Sequence, residues 1–193
     1  MRIIKLFIPI FMVFTVVLSL FSQALNTSEA ISNKVFRLHI LANSDSTYDQ
    51  NIKLQLRDYF LNNTADIFCE KTLDETIKTA KNNLSNIEYI CNTFLKSNNC
   101  PYTAKVSVTK EYFSTRVYDD FTLPAGYYNS LKISIGQGSG HNWWCIVFPS
   151  VCLSSCSESM GDYMTDEEMD FITENYYPKF KMIEIYEKIK SSV

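Results

Sequence analysis

Two histidines and six cysteines are the side chains in this sequence best suited to act as base or nucleophile near neutral pH. Cys145 with His39 or His141 would have the elements of a thiol hydrolase. The pattern argues against it. Cys145 sits inside WWCIVF, Trp143 to Phe148, an apolar run that raises a thiol pKa, and no carboxylate is placed by sequence beside His39. Cys145 is better read with Cys152 as a disulfide across the Pro149 turn, with two buried free thiols as the alternative. Asp45, Asp49 and Asp58 are the carboxylates that could serve acid–base work. Asp45 is explained by helix capping and Asp49 by an i,i+4 pair with Lys53 on an outer helix face. Glu167, Glu168 and Asp170 read as a solvated helix face. No catalytic set converges, no CxxC pair points to zinc, and no metal or cofactor is expected.

Gly136, Gly138 and Gly140 tempt a phosphate-loop reading, but such a loop runs from a strand into a helix N-terminus. Here the glycines join two strands, which predicts a hairpin loop with φ > 0 positions. Arg37, His39, Asn43 and Arg116 remain. Arg37 and His39 share one strand face, and Asn43 and Asp45 lie at the exit of that strand, where α/β proteins often place sites. Such a constellation either binds a partner or ligand, or pins the turn. Trp143 and Trp144 are adjacent in a strand and so face opposite sides. One of them is an interface candidate unless both faces of the sheet are covered.

The elements that must position these residues are legible in part. KVFRLHILAN, residues 34–43, alternates as a strand. NSDS turns it into a helix over about 47–61, with Ile52, Leu56, Tyr59 and Phe60 inward. Thr72 and Glu75 fit a capping box, and Leu73, Ile77, Ala80, Leu84, Ile87, Cys91 and Phe94 continue as one apolar stripe. Cys91 falls on that stripe as a small hydrophobe. Strands are expected at 103–109, 131–135 and 143–148, the last apolar on both faces and so central. A long loop, STRVYDDFTLPAGYYN, separates the first two of these. A short acidic helix near 165–174 and a final helix with Met182, Ile185, Tyr186 and Ile189 on one side close the chain.

The fold expected is therefore α+β: one sheet of about four strands, two helices from the N-terminal half packed on it, and a C-terminal helix. Residues 26–193 form a single domain. Residues 1–25 are set apart. Arg2 and Lys5 precede Leu6 to Phe21, a run apolar but for Thr15 and Ser19 and about 24 Å long as a helix. Ser22, Gln23 and Ala24 suit cleavage after Ala24, so the segment is a signal peptide or an uncut anchor. Export is compatible with disulfides. A net charge of −3 gives no electrostatic footprint for nucleic acid.

Two blocks carry a resemblance. VFRLHILANSDSTYDQNIKLQLRD and FSTRVYDDFTLPAGYYNSLKISIGQGSGHNWWCIVFPSVC, residues 35–58 and 113–152, together resemble the stage II sporulation protein R family of endospore-forming bacteria. They span about a third of the chain, and residues 159–193 match only in general character. Ser114 and Ser150 stand where the family pattern has proline, and Asp119 where it has glycine. The resemblance implies a signalling protein, not an enzyme. It would be made in the forespore and exported to the space between forespore and mother cell. There it would activate a membrane-embedded aspartic protease of the mother cell that processes pro-sigma-E. Arg37, His39, Asn43, Asp45, Arg116, Trp143 and Trp144 are then the expected partner-binding residues, on a surface that includes LPAG. Membrane contact is expected through the N-terminal segment only. The competing expectation is an extracytoplasmic enzyme or ligand-binding module acting on cell-wall material through His39, Asn43 and Asp45.

Overall fold

A computed structural model describes residues 2–64, 67–150, 159–174 and 177–190. The chain is α+β, with a four-stranded sheet covered on both faces. Helix α1 (Arg2–Ser32) contains the apolar run. It is long and apolar enough to cross a membrane, and its most apolar window is not buried against the rest of the protein. Its last turns dock on the body, where Ser28, Ile31 and Ser32 are buried.

Strand β1 (Phe36–Leu41) leads to α2 (Thr47–Asn63), α3 (Leu73–Asn82) and α4 (Leu84–Ser97). The expected single helix after Thr72 is broken at Asn83, whose side chain donates to the Thr79 carbonyl at 2.9 Å. Such a local bond competes with the helical ladder. The apolar stripe nevertheless continues across the break, through Ala80, Ile87, Cys91 and Leu95. At Thr72 the capping hydroxyl accepts the Glu75 amide, as the sequence predicts.

Strands β2 (Ala104–Phe113) and β5 (Gly126–Ile135) are each longer than the sequence alternation suggested. The intervening segment holds a two-stranded ribbon, β3 (Arg116–Val117) and β4 (Thr122–Leu123). After β5 comes β6 (Asn142–Phe148), which ends at a cis Phe148–Pro149 bond. The sheet order is β2-β5-β1-β6. β1 runs parallel to β5 and antiparallel to β6.

This order corrects two expectations. The glycine segment does not close a hairpin, because β1 is inserted between β5 and β6 and the segment crosses the C-terminal end of β1. Gly136 and Gly138 do take positive φ, 57° and 62°. Nor is β6 central: among the described residues, β1 is its only strand partner. Its run of apolar residues reflects two covered faces rather than two neighbouring strands.

One face of the sheet packs on α2, α3 and α4, through Phe36, Leu38, Ile40, Leu131 and Ile133 against Ile52, Leu56, Phe60 and Ile87. The opposite face has a cover of its own. Ile31 of α1, Phe121 and Leu123 of the ribbon, Met160 in a 3-10 turn (Met160–Asp162) and Ile172 of α5 (Asp166–Thr173) pack with Val35, Phe113, Tyr128 and Ile146. Thr165 and Glu168 form the capping box that starts α5. The last helix, α6 (Tyr177–Lys190), docks through Phe180 and Ile183. The stripe of Met182, Ile185, Tyr186 and Ile189 lies together on one side, as expected, but that side faces away from the body.

Candidate functional site

Two polar clusters contain most of the residues singled out by sequence, and they differ in kind. The first lies where β1 ends. Asn43 donates to Asp49 Oδ2 at 2.9 Å, and Ser44 Oγ donates to the same oxygen at 2.6 Å. The helix cap is Ser46, whose hydroxyl accepts the Asp49 amide at 3.1 Å. Asp45 is therefore not the cap. It accepts the His141 amide at 2.6 Å and lies against His141 Nδ1. That amide bond is the main reason its carboxyl sits below the ordinary aspartate range.

Asp49 and Lys53 do not pair on an outer face, since both are buried. Burial opposes the charge on Asp49, and hydrogen bonds from Ser44, Asn43 and Ser46 overcome it and lower its pKa. Lys53 donates to Gln50 Oε1 at 2.6 Å and to the His141 carbonyl at 2.8 Å.

The glycine segment closes this cluster. Asn43 Oδ1 accepts the Gln137 amide at 3.0 Å, and the Gly140 amide donates to Ala42 O at 3.0 Å. A methyl group at Gly140 would overlap the Ser44 carbonyl, and one at Gly136 would overlap the Asn43 amide. These glycines permit close backbone approach rather than phosphate binding.

The second cluster lies on the face opposite the three helices, where the register sets His39 beside Lys132 on β5 and Trp144 on β6. His39 Nδ1 is 3.0 Å from Glu111 Oε1, and His39 Nε2 is 2.7 Å from Asn142 Oδ1. Glu111 also takes Lys132 at 3.0 Å and the Ser130 hydroxyl. Burial works against its charge, but hydrogen bonds from His39, Ser130 and Lys132 prevail and bring its pKa down to about 2. His39 thus has a carboxylate orienter that sequence could not place. Both of its ring nitrogens are engaged.

Arg37 is 0% exposed. It donates to the Tyr118 hydroxyl at 2.8 Å and lies 4.2 Å from the Phe113 ring centroid and 5.0 Å from that of Tyr128. Among the described residues its Nε and Nη1 have no hydrogen-bond partner, and neither do the buried Trp144 Nε1 and Thr115 Oγ1. Trp144 packs on Phe113 at 5.3 Å and carries the Arg116 guanidinium 5.0 Å over its ring. Next to Arg116, Val117 is 68% exposed. The cluster offers hydrogen-bond donors and aromatic faces, which suit an acceptor-bearing partner.

Arg37, His39, Arg116 and Trp144 are therefore brought together. Asn43 and Asp45 belong to the first cluster. Trp143 faces the helices, with the Arg57 guanidinium 5.1 Å from its ring. LPAG is not surface: Leu123 and Ala125 are buried, and Pro124 supplies the carbonyl that accepts the Tyr128 hydroxyl at 2.7 Å. Sequence reading missed Glu111, Phe113, Tyr118, Ser130 and Lys132. The alternation of β2 continues past Thr109 into Glu111 and Phe113, and following it would have found those two.

Cys145 is disulfide-bonded, and so is Cys69. Cys145 thus offers no thiolate. Its expected partner, Cys152, lies outside the described residues. Cys91 behaves as a core hydrophobe, its pKa pushed up to about 12 by burial. No group of three or more His, Cys, Asp and Glu that could hold a metal ion occurs among the described residues.

The family model for stage II sporulation protein R matches residues 32–158, more than half of the chain and all of both clusters. The chain belongs to the stage II sporulation protein R family. The stage II sporulation protein R of Bacillus subtilis (strain 168) is 31% identical over 144 residues, which are 74% of this chain and 63% of that protein. The present chain thus spans less than two thirds of the length of that relative. No solved structure matches it. Family membership assigns the chain a role in sporulation, and the family bears the name of a sporulation protein rather than of an enzyme class. The N-terminal apolar helix is compatible with a signal segment or an anchor.

Proposed function

We propose that this chain is an exported sporulation signal. On this reading it leaves the forespore and, in the space between the two membranes, activates the membrane-embedded aspartic protease that processes pro-sigma-E. The observation that carries the proposal is the Arg116–Trp144 pair with its exposed neighbour Val117. It presents a cation and an apolar tip on the ribbon, the cation lying over an aromatic ring of the sheet. Buried beneath are donors without a partner among the described residues, Trp144 Nε1 and Arg37 Nε and Nη1. Interfaces of this composition draw their energy from a few aromatic and arginine side chains.

The competing reading, an enzyme or ligand-binding module acting through His39, Asn43 and Asp45, has less support. Asn43 and Asp45 are spent on holding the glycine segment, and His39 is bonded through both nitrogens.

The test is processing of pro-sigma-E in a vegetative host that makes the protease and its substrate from the same genome, with and without this chain. Processing is expected only when the chain is present. Arg116→Ala and Trp144→Ala should abolish it while export and folding persist. Normal processing with both replaced would reject this surface. Export without any processing would reject the signalling role.

A further inference from the structure

The final helix leaves an apolar side uncovered. Phe180 packs edge-on against Phe171 at 5.6 Å and, with Ile183, anchors α6 to the body. On another side Met182, Ile185 and Ile189 are 46%, 50% and 62% exposed. Isolated exposed hydrophobes such as Tyr89 are ordinary, but three spaced i, i+3, i+7 form a continuous stripe.

Tyr186 belongs to the same stripe and meets Phe21 of α1, ring to ring, at 6.0 Å. Phe21 is the last residue of the apolar run that begins at Leu6. Tyr186 is therefore level with the point where the apolar part of α1 ends, so insertion of α1 in a bilayer would bring this part of α6 to the bilayer surface.

The charges on α6 fit that position. At about 100° per residue, Lys181 and Lys188 fall on one flank of the stripe and Lys190 on the other, with Glu184 and Glu187 behind. Lys181 and Lys188 pair with Glu184 at 3.4 and 3.2 Å and Lys190 with Glu187 at 3.9 Å, yet the helix carries four lysines against two glutamates, the excess of positive charge that an interfacial helix brings to anionic lipid.

We infer that α6 is an interfacial helix. Its Met182–Ile185–Ile189 stripe lies among the headgroups of an anionic bilayer, beside the entry point of α1. The contact is additional to α1 itself and independent of which protease the chain activates.

The full chain is reconstituted in vesicles of phosphatidylcholine and phosphatidylglycerol, with a photoreactive benzophenone side chain replacing Ile185, Ile189, Val117 or Phe14 in turn. Adducts are identified by mass spectrometry. Phe14 reports α1, and Val117 reports the ribbon, which packs with Ile31, ten residues beyond Phe21 on α1. Phospholipid adducts at 185 and 189 are expected several-fold above those at 117 and close to those at 14. Lipid adducts at 14 with only background at 185 and 189 would overturn the inference and leave the anchor standing. Cross-links from 185 to a second copy of the chain would overturn it in favour of a dimer. Absence of lipid adducts at all four positions would overturn it by removing the anchor. Combining Lys181→Glu and Lys188→Glu should lower the yield at 189 several-fold without changing that at 14; an unchanged yield at 189 would remove anionic lipid as the partner.

Discussion

The end of β1 and the second face of the sheet are both rich in polar side chains, yet they are built on opposite principles. At the end of β1 the side chains of Asn43, Ser44, Asp45, Asp49, Gln50 and Lys53 all bond within the cluster. On the second face, Arg37, Trp144 and Thr115 keep buried donors without partners among the described residues. A closed network specifies one geometry and leaves nothing for a ligand. An open one tolerates change in the isolated protein and has bonds left to make. Polar residues grouped in sequence therefore do not by themselves mark a site.

That contrast can be broken most severely at Gly140. Gly140→Ala drives a methyl group into the Ser44 carbonyl, and a loss of about 3 kcal/mol or more is expected, read as a collapse of the urea midpoint. A near-native midpoint would mean that the crossing is looser than described.

Glu111 comes next. Its folded pKa lies below the ordinary value, so its contribution is complete above about pH 4.5 and is lost as pH falls from there toward 2. The difference corresponds to roughly 3 kcal/mol. Glu111→Gln should flatten the dependence of unfolding free energy on pH across that window, and an unchanged slope would show that Glu111 is not so held.

A smaller effect, about 2 kcal/mol, is expected from Asp49→Ala, which strips the acceptor from Asn43 and Ser44 in a site only 3% exposed. Arg37→Met should do least, within about 1 kcal/mol of the parent, because it removes a buried charge that has a single hydrogen bond. Equal losses for Asp49→Ala and Arg37→Met in chemical denaturation would erase the distinction between the two clusters.

Local pattern exposed β1, the start of α2 and the cap at Thr72, because each is set by residues a few positions apart, whereas Glu168, read as part of a solvated face, is buried as the partner of Thr165 and Lys34. Sheet order was not legible. Nothing within 136–148 signals that β1, about a hundred residues earlier, separates β5 from β6. The same limit governs the site. The Arg37–His39 pairing on one face follows from alternation, whereas Glu111 reaches His39 only through the β1–β5–β2 register. The buried state of Lys53 was misread because a lysine four residues after an aspartate resembles a solvated pair. Its acceptors are Gln50 Oε1 and the His141 carbonyl, and the second lies on the distant glycine segment.

Helix α1 runs without interruption from Arg2 to Ser32, through Ala24 and onto the body. A peptidase must take its substrate unwound, and here unwinding the Ala24 region competes with burial of Ser28, Ile31 and Ser32 a turn or two further on. If the segment is a substrate for cleavage after Ala24, the outcome is decided by a race: a chain cut before its body folds would be released, and one that folds first would keep that bond in a docked helix and stay tethered. The rate of folding relative to processing would then set how far from its membrane of origin the protein can act.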